Sequence, residues 1–181
     1  MTIRFGTDGW RAVISDTFTF ENVRLVSQAI ADYVRQGSDR ERPEVVVGFD
    51  TRFLSDRYAR EVARVMAGNG IVAHLTRADA PTPAVSYAVV EKKAEAGVMV
   101  TASHNPPRYN GIKLKAAFGG SALPEQARQV ELQLERGQAE ARGPNLMDFE
   151  QALKLGLVRP FDPAWAYYQH LSTLLNLDLI S

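Results

Sequence analysis

The chain has 181 residues, which favours one domain with an appendage, and its Lys+Arg and Asp+Glu contents are equal at 21 each. That balance leaves no overall charge to draw the protein to nucleic acid or an anionic membrane, so any attraction for a phosphorylated ligand must be local. There is no cysteine, which excludes disulfide scaffolds, thiolate catalysis and Cys-based zinc sites, and the 45% hydrophobic and 23% charged content is that of an ordinary globular protein.

The opening Met1-Thr2-Ile3-Arg4-Phe5-Gly6 lacks the basic and apolar regions of a secretory signal, and no apolar run approaches the roughly 20 residues a bilayer demands. A cytoplasmic protein is expected. In the next segment, Gly6-Thr7-Asp8-Gly9-Trp10-Arg11, two glycines three residues apart permit a tight backbone path whose amides can receive an anion, with Arg11 placed to grip phosphate oxygens. Asp8-Gly9 reads equally as a plain turn, and Arg11 as a surface charge.

Residues 20–35 set Val23, Val26, Ile30 and Val34 at helical spacing, with Thr19 as N-cap. Residues 45–48 read as a strand. A helix follows over 55–66, with Tyr58, Val62 and Val65 on one face and Ser55 or Asp56 as its cap. Residues 71–75 are the next strand, and the Pro81-Thr82-Pro83 turn opens a helix over 82–93 with Pro83 in its first turn. Residues 97–100 are again strand-like. These three strands are apolar without alternation, as expected when both faces are covered. Residues 112–115 do alternate, which predicts a more exposed face nearer an edge.

Pro124 opens a helix to residue 136 that carries Val130, Leu132 and Leu134. The polar stretch 137–144 reads as a linker. From Pro163 onward Trp165, Tyr168, Leu171, Leu174 and Leu175 form an apolar helical stripe that needs a surface to pack on. The alternation of strands and helices predicts a three-layer α/β/α sandwich with a mostly parallel central sheet and a C-terminal helical segment.

The chemistry concentrates in Thr101-Ala102-Ser103-His104-Asn105-Pro106-Pro107, directly after an apolar strand and so at the strand's carboxyl end, where parallel α/β folds place ligands. Small residues let a ligand approach the backbone, and the prolines stiffen the loop exit. Ser103, beside His104 and the Asn105 amide, suits a nucleophile or a phosphate carrier; the plainer reading is a turn. Asn110-Gly111 is a strong turn signal. Lys113, on the strand returning from the serine loop, can serve as an acid/base or as a phosphate-neutralising charge, while Lys115 on the same face reads as solvated.

Taken in order, the Gly6 to Arg11 segment, Val47-Gly48-Phe49-Asp50-Thr51-Arg52, Pro81-Thr82-Pro83, Thr101-Ala102-Ser103-His104-Asn105-Pro106 and Asn110-Gly111-Ile112-Lys113 resemble the signature series of the α-D-phosphohexomutases, which include phosphoglucomutases, phosphomannomutases and phosphoglucosamine mutases. The resemblance implies that residues 1–136 are the family's first, serine-bearing α/β/α domain, and that 137–181 are the linker and opening helix of a truncated second domain. It implies that Ser103 carries a phosphate, gives it to a hexose monophosphate, and recovers the other phosphate from the bisphosphorylated sugar, so that phosphate passes between C1 and C6. Lys113 is then the general acid/base and His104 a hydrogen-bond partner or proton shuttle. Arg11, Thr7 and Asn105 are the phosphate contacts. Asp50 and Arg52 are expected as an ion pair or loop brace.

The same resemblance implies Mg²⁺ held through the Ser103 phosphate and by three aspartates of an Asp-Gly-Asp-type loop that this sequence does not contain, with hexose 1,6-bisphosphate as activator. The remaining domains of the polypeptide and hexose phosphates are the implied partners. An incomplete site with little turnover on its own is expected. A serine hydrolase is disfavoured because no Gly-x-Ser-x-Gly elbow is present and Ser103 directly precedes its histidine. A non-catalytic flavodoxin-like binding module is the other alternative, supported by the alternating pattern and weakened by the lack of Gly-x-Gly-x-x-Gly.

Overall fold

Three consecutive valines decide how the sheet is covered. Val45 and Val47 point into one apolar cluster and Val46 into a second, and all three are fully buried. Side chains alternate across a strand, so a strand whose every residue is apolar must be roofed on both faces. The computed structural model, which describes residues 3–4, 9–176 and 179, has that arrangement.

In chain order the elements are β1 (Trp10–Val13), α1 (Phe20–Gly37), β2 (Glu44–Phe49), α2 (Ser55–Gly68), β3 (Val72–Thr76), α3 (Thr82–Glu91), β4 (Ala96–Val100), β5 (Tyr109–Ala116), α4 (Pro124–Ala139), α5 (Phe149–Lys154), β6 (Val158–Phe161) and α6 (Ala164–Leu174). The sheet runs β1-β5-β4-β2-β3-β6. The β2–β3, β2–β4 and β3–β6 pairs are parallel, and β5 and β1 close one side antiparallel. Helices α1, α2 and α4 pack together over one face; α3 covers the other and carries α6 on its outside. The protein is an α/β/α sandwich on a mostly parallel sheet.

The helix starts follow local chemistry. Thr19 caps α1 by accepting the Asn22 N–H. Pro83 and Pro124 sit in the first turns of α3 and α4, where a missing N–H costs nothing. The cap expected for α2 is corrected: Leu54, at φ 62°, precedes the helix without a side-chain cap. Ser55 and Asp56, the expected caps, are the first two residues of the helix itself, and the Ser55 hydroxyl donates to Asp50 Oδ1 at 2.8 Å. Leu132, expected on the buried face of α4, is exposed, while Val130 and Leu134 are buried.

Around Tyr58 the aromatic residues form a chain of contacts. Trp10 stacks on Phe18 at 4.8 Å, Phe18 meets the Tyr58 ring edge-on at 4.7 Å, and Phe20 lies 4.5 Å away on the other side. The Tyr58 hydroxyl donates to the Phe18 carbonyl at 3.1 Å, and burial pushes its pKa up.

Two strands lie outside those expected from the sequence. β1 pairs with residues 109–112 of β5 and becomes the sheet edge, and the lysines further along β5 are buried, Lys113 9% exposed and Lys115 7%. The solvated role expected of Lys115, and the exposed face expected of β5, are therefore corrected. Within 137–181, read as linker and opening helix, α5 packs on α2 and β6 adds to the sheet beside β3. Among the described residues of α6 none is buried; Trp165 and Tyr168 are 72% and 61% exposed, and Tyr87 of α3 stacks on His170 at 4.3 Å. No helix among the described residues is long and apolar enough to cross a membrane.

Candidate functional site

Two loops meet where β2 and β4 end. After Phe49 the chain enters residues 50–54, and after Val100 it enters 101–108. The Asp50 N–H donates to the Val100 carbonyl at 3.1 Å, and the Thr101 N–H to the Gly111 carbonyl at 2.9 Å. The serine loop is thus fastened to both neighbouring strands at the carboxyl end of the parallel sheet.

Ser103 stands at the tip of this loop, exposed, with φ 56°. For a residue with a Cβ the left-handed region costs roughly 1–2 kcal/mol, so the surroundings must impose it. Two contacts do so directly. The Ser103 N–H donates to Thr101 Oγ1 at 2.9 Å, and the Ser103 carbonyl accepts from Arg52 Nη2 at 2.7 Å.

Arg52 holds far more than Ser103. Its Nη2 also donates to the Asn105 carbonyl at 2.6 Å, and its Nη1 to the carbonyls of Pro106 and Tyr109, each at 3.0 Å. Its Nε lies 3.4 Å from Asp50 Oδ2. Asp50 is fixed in turn, because its Oδ1 accepts from the Arg52 N–H at 3.0 Å and the Ser55 hydroxyl at 2.8 Å. Below them Asn110, fully buried, donates to Ser55 Oγ at 2.9 Å and accepts the Gly111 N–H at 2.8 Å. The turn expected at Asn110-Gly111 is corrected: both lie inside β5, and the Asn110 amide serves this network.

Arg11 reaches the same loop from β1, its Nη1 donating to Asn105 Oδ1 at 2.8 Å. Arg11 and Gly111 are direct partners in the β1–β5 ladder, and Lys113 lies two residues further along β5. Opposed residues and alternate residues share a face, so Arg11 and Lys113 approach the loop from the same side of the sheet. His104 is exposed next to Ser103, and no hydrogen bond anchors its ring among the described residues. Thr7 lies outside the described residues. Arg11 and Asn105 are thus brought into direct contact beside Ser103, and Lys113 joins them on the face they share.

Mg²⁺ favours an octahedral shell of oxygen ligands. Among the described residues no three His, Asp or Glu side chains are grouped to hold a metal, and Asp50 is already committed to Arg52 and Ser55. The residues described do not fit a Mg²⁺ cage.

Ser55 joins the site without having been expected there from the sequence, and Thr101 and Asn110, read as a small loop residue and a turn residue, serve it as hydrogen-bond partners. The turn preference of Asn-Gly masks the part Asn110 plays.

The model of the phosphoglucomutase/phosphomannomutase α/β/α domain I matches residues 2–141. A phosphoglucomutase of Staphylococcus saprophyticus is 41% identical over 134 residues, covering 71% of this chain and 23% of its own length. A phosphoglucosamine mutase of Frankia alni is 42% identical over 151 residues, covering 80% of this chain and 32% of its own. The chain therefore spans a quarter to a third of the length of these curated relatives. A Thermus thermophilus crystal structure assigned to the phosphomannomutases superposes with a TM-score of 0.81 at 37% identity, over 98% of this chain and 37% of that one. With the fold, the order of its motifs and the matched span in agreement, this chain belongs to the phosphoglucomutase/phosphomannomutase family, as its domain I.

Proposed function

We propose that this chain is the phosphate-carrying domain of a phosphohexomutase that interconverts hexose 1-phosphate and hexose 6-phosphate through a bisphosphorylated sugar, with Ser103 as the carrier. The observation that carries the reading is Ser103 itself: an exposed hydroxyl on a backbone forced into the left-handed region, at the carboxyl end of a parallel strand, beside an Arg11–Asn105 pair.

In the forward half-reaction the bond between phosphorus and Ser103 Oγ breaks as a bond forms to a hydroxyl oxygen of the hexose monophosphate. The hydroxyl proton leaves to Lys113, acting as general base, while the departing Ser103 Oγ takes up a proton through His104. The sugar then turns over and its other phosphate returns to Oγ, whose proton leaves through His104 as Lys113 gives its own to the departing sugar oxygen. Phosphoryl transfer needs in-line positioning and neutralisation of spreading charge more than a strong base. A phosphoserine brings nearly two negative charges, which Arg11 offsets, and Lys113 adds its charge on the shared face once it has taken the hydroxyl proton. Asn105 orients Arg11, His104 hydrogen-bonds the phosphorylated loop or shuttles a proton, and Thr7 completes the phosphate contacts. Hexose 1,6-bisphosphate, the reaction's own intermediate, would charge an empty Ser103 and so act as activator.

The Mg²⁺ of this chemistry takes its carboxylates from other domains of the polypeptide, since no such cage exists among the described residues. On its own the domain carries the phosphate without completing the cycle. The exposed face of α6 begins the junction to those domains, and the enzyme works in the cytoplasm.

The test is intact-mass measurement with phosphopeptide mapping, on protein as isolated and after incubation with glucose 1,6-bisphosphate. One phosphate on Ser103, absent from Ser103→Ala, is the expected result. If Ser103 stays bare in the full-length protein under both conditions, the carrier role is lost.

A further inference from the structure

An arginine side chain has a fixed set of N–H groups in a planar fork and no acceptor. In Arg52 every one of them faces a protein oxygen. Both Nη2 hydrogens go to the carbonyls of Ser103 and Asn105, both Nη1 hydrogens to those of Pro106 and Tyr109, and Nε faces Asp50. None is left for a phosphate. The acceptors also span the loop in order: Ser103 at its tip, the adjacent Asn105 and Pro106, and Tyr109, the first residue of β5. One rigid plane therefore fixes the path of the chain from Ser103 to Tyr109.

We propose that Arg52 is the positioning residue of the serine loop: by holding the Ser103 carbonyl within this fork it keeps Ser103 in the left-handed conformation that aims Oγ outward for transfer. The transfer half of this inference rests on Ser103 being the phosphate carrier. The conformational half does not. Asp50 and Ser55 act behind Arg52, since Asp50 holds both the Arg52 N–H and its Nε. A lysine here would keep the charge but lose the fork, because an ammonium is a point donor on a flexible stem. Conservation of charge should therefore fail to conserve function.

The experiment compares wild type with Arg52→Lys in the full-length protein. The first arm reads the Ser103 backbone by NMR, from its Cα shift and its amide-to-Hα coupling. The second follows transfer of phosphate from glucose 1,6-bisphosphate to Ser103 by mass, in which the Oγ–phosphorus bond forms, a sugar oxygen–phosphorus bond breaks, and the Oγ proton ends on the freed sugar hydroxyl. The urea midpoint is recorded alongside. In Arg52→Lys the left-handed signature should disappear and charging of Ser103 should slow by roughly 10–100-fold, the scale of a misplaced reacting group, with a folded protein and the same charge.

A retained signature would overturn the proposal, as would a lost signature with unchanged charging. If wild type itself never takes phosphate, the carrier reading falls, and the NMR arm alone decides whether the clamp exists. Should Arg52→Lys not fold, the double variant Arg52→Lys/Ser103→Gly is the second test, because glycine adopts positive φ unaided. Recovery of folding there supports the clamp. Failure of both overturns it and assigns Arg52 to the stability of the whole domain.

Discussion

Arg11 stands opposite Gly111 in the β1–β5 ladder, and its Cγ lies only 2.9 Å from where a Cβ on Gly111 would be. The same imaginary atom would meet the carbonyl oxygens of Thr101 and Trp10 at 2.7 Å each. The absence of a side chain is thus what lets three strands and the Arg11 stem converge beside the serine loop.

Gly111→Ala should accordingly destabilise the domain by about 1–3 kcal/mol, as overpacking does in a well-packed interior. Two of the three obstructing atoms are backbone, so a rotamer change cannot relieve the clash. Urea unfolding would show the lower midpoint, and Arg11 would be displaced from Asn105.

Tyr58→Phe should cost about 1 kcal/mol, the net worth of one hydrogen bond, because the Phe18 carbonyl loses this donor and keeps the Ser15 N–H at 3.3 Å. The variant also carries a pH signature. The Tyr58 pKa is raised by burial, so the unfolded tyrosine ionises first as pH rises. Its contribution is complete below the ordinary tyrosine value of about 10 and declines as pH climbs from there toward the folded value. Denaturation series between neutral and strongly alkaline pH should show that part of the decline in wild type and not in Tyr58→Phe.

Thr19→Ala removes the acceptor for the Asn22 N–H at the start of α1. A loss of about 1 kcal/mol is expected, with Thr19→Asn close to wild type. The urea midpoints of the three proteins check it.

Asp148 caps α5 by accepting the Gln151 N–H, and this bond holds its carboxyl below the usual range. A depressed carboxylate pKa adds stability above the unfolded value and loses it as pH falls through the folded one. Asp148→Ala should therefore speed hydrogen exchange in α5 and in β6 behind it at neutral pH. The difference from wild type should shrink under acid conditions, and Asp148→Asn should exchange much as wild type does.

The sandwich was legible because covered strands and amphipathic helices leave different periodicities: Val45 to Val47 and the Val23-Val26-Ile30-Val34 stripe could hardly be read otherwise. Ser103 was legible from its place after β4. What stayed hidden depends on pairing between distant segments. Trp10 to Val13 is four residues long and becomes a strand only through β5, and β6 only through β3. The alternating lysines of β5, which looked like an edge pattern, are buried on the sheet face that α3 covers. Arg52 could be recognised as a brace by its company with Asp50, but its grip on four carbonyls is not encoded in any local pattern, since those acceptors carry no side-chain identity.

The position of Pro160 bears on how this domain avoids its own kind. The carbonyls of Leu157 and Phe161 accept from the N–H groups of Ala73 and Arg77, so these two residues turn their backbone toward β3. Backbone polar groups alternate sides along a strand, and those of Val158 and Pro160 therefore face outward. An ordinary residue at 160 would offer an amide hydrogen on the open margin of the sheet; proline has none. A second strand arriving from another molecule would find one donor missing from a margin only four residues long. Self-association into extended sheets is thereby discouraged at the margin formed by β6, while the ladder on its inner side stays intact.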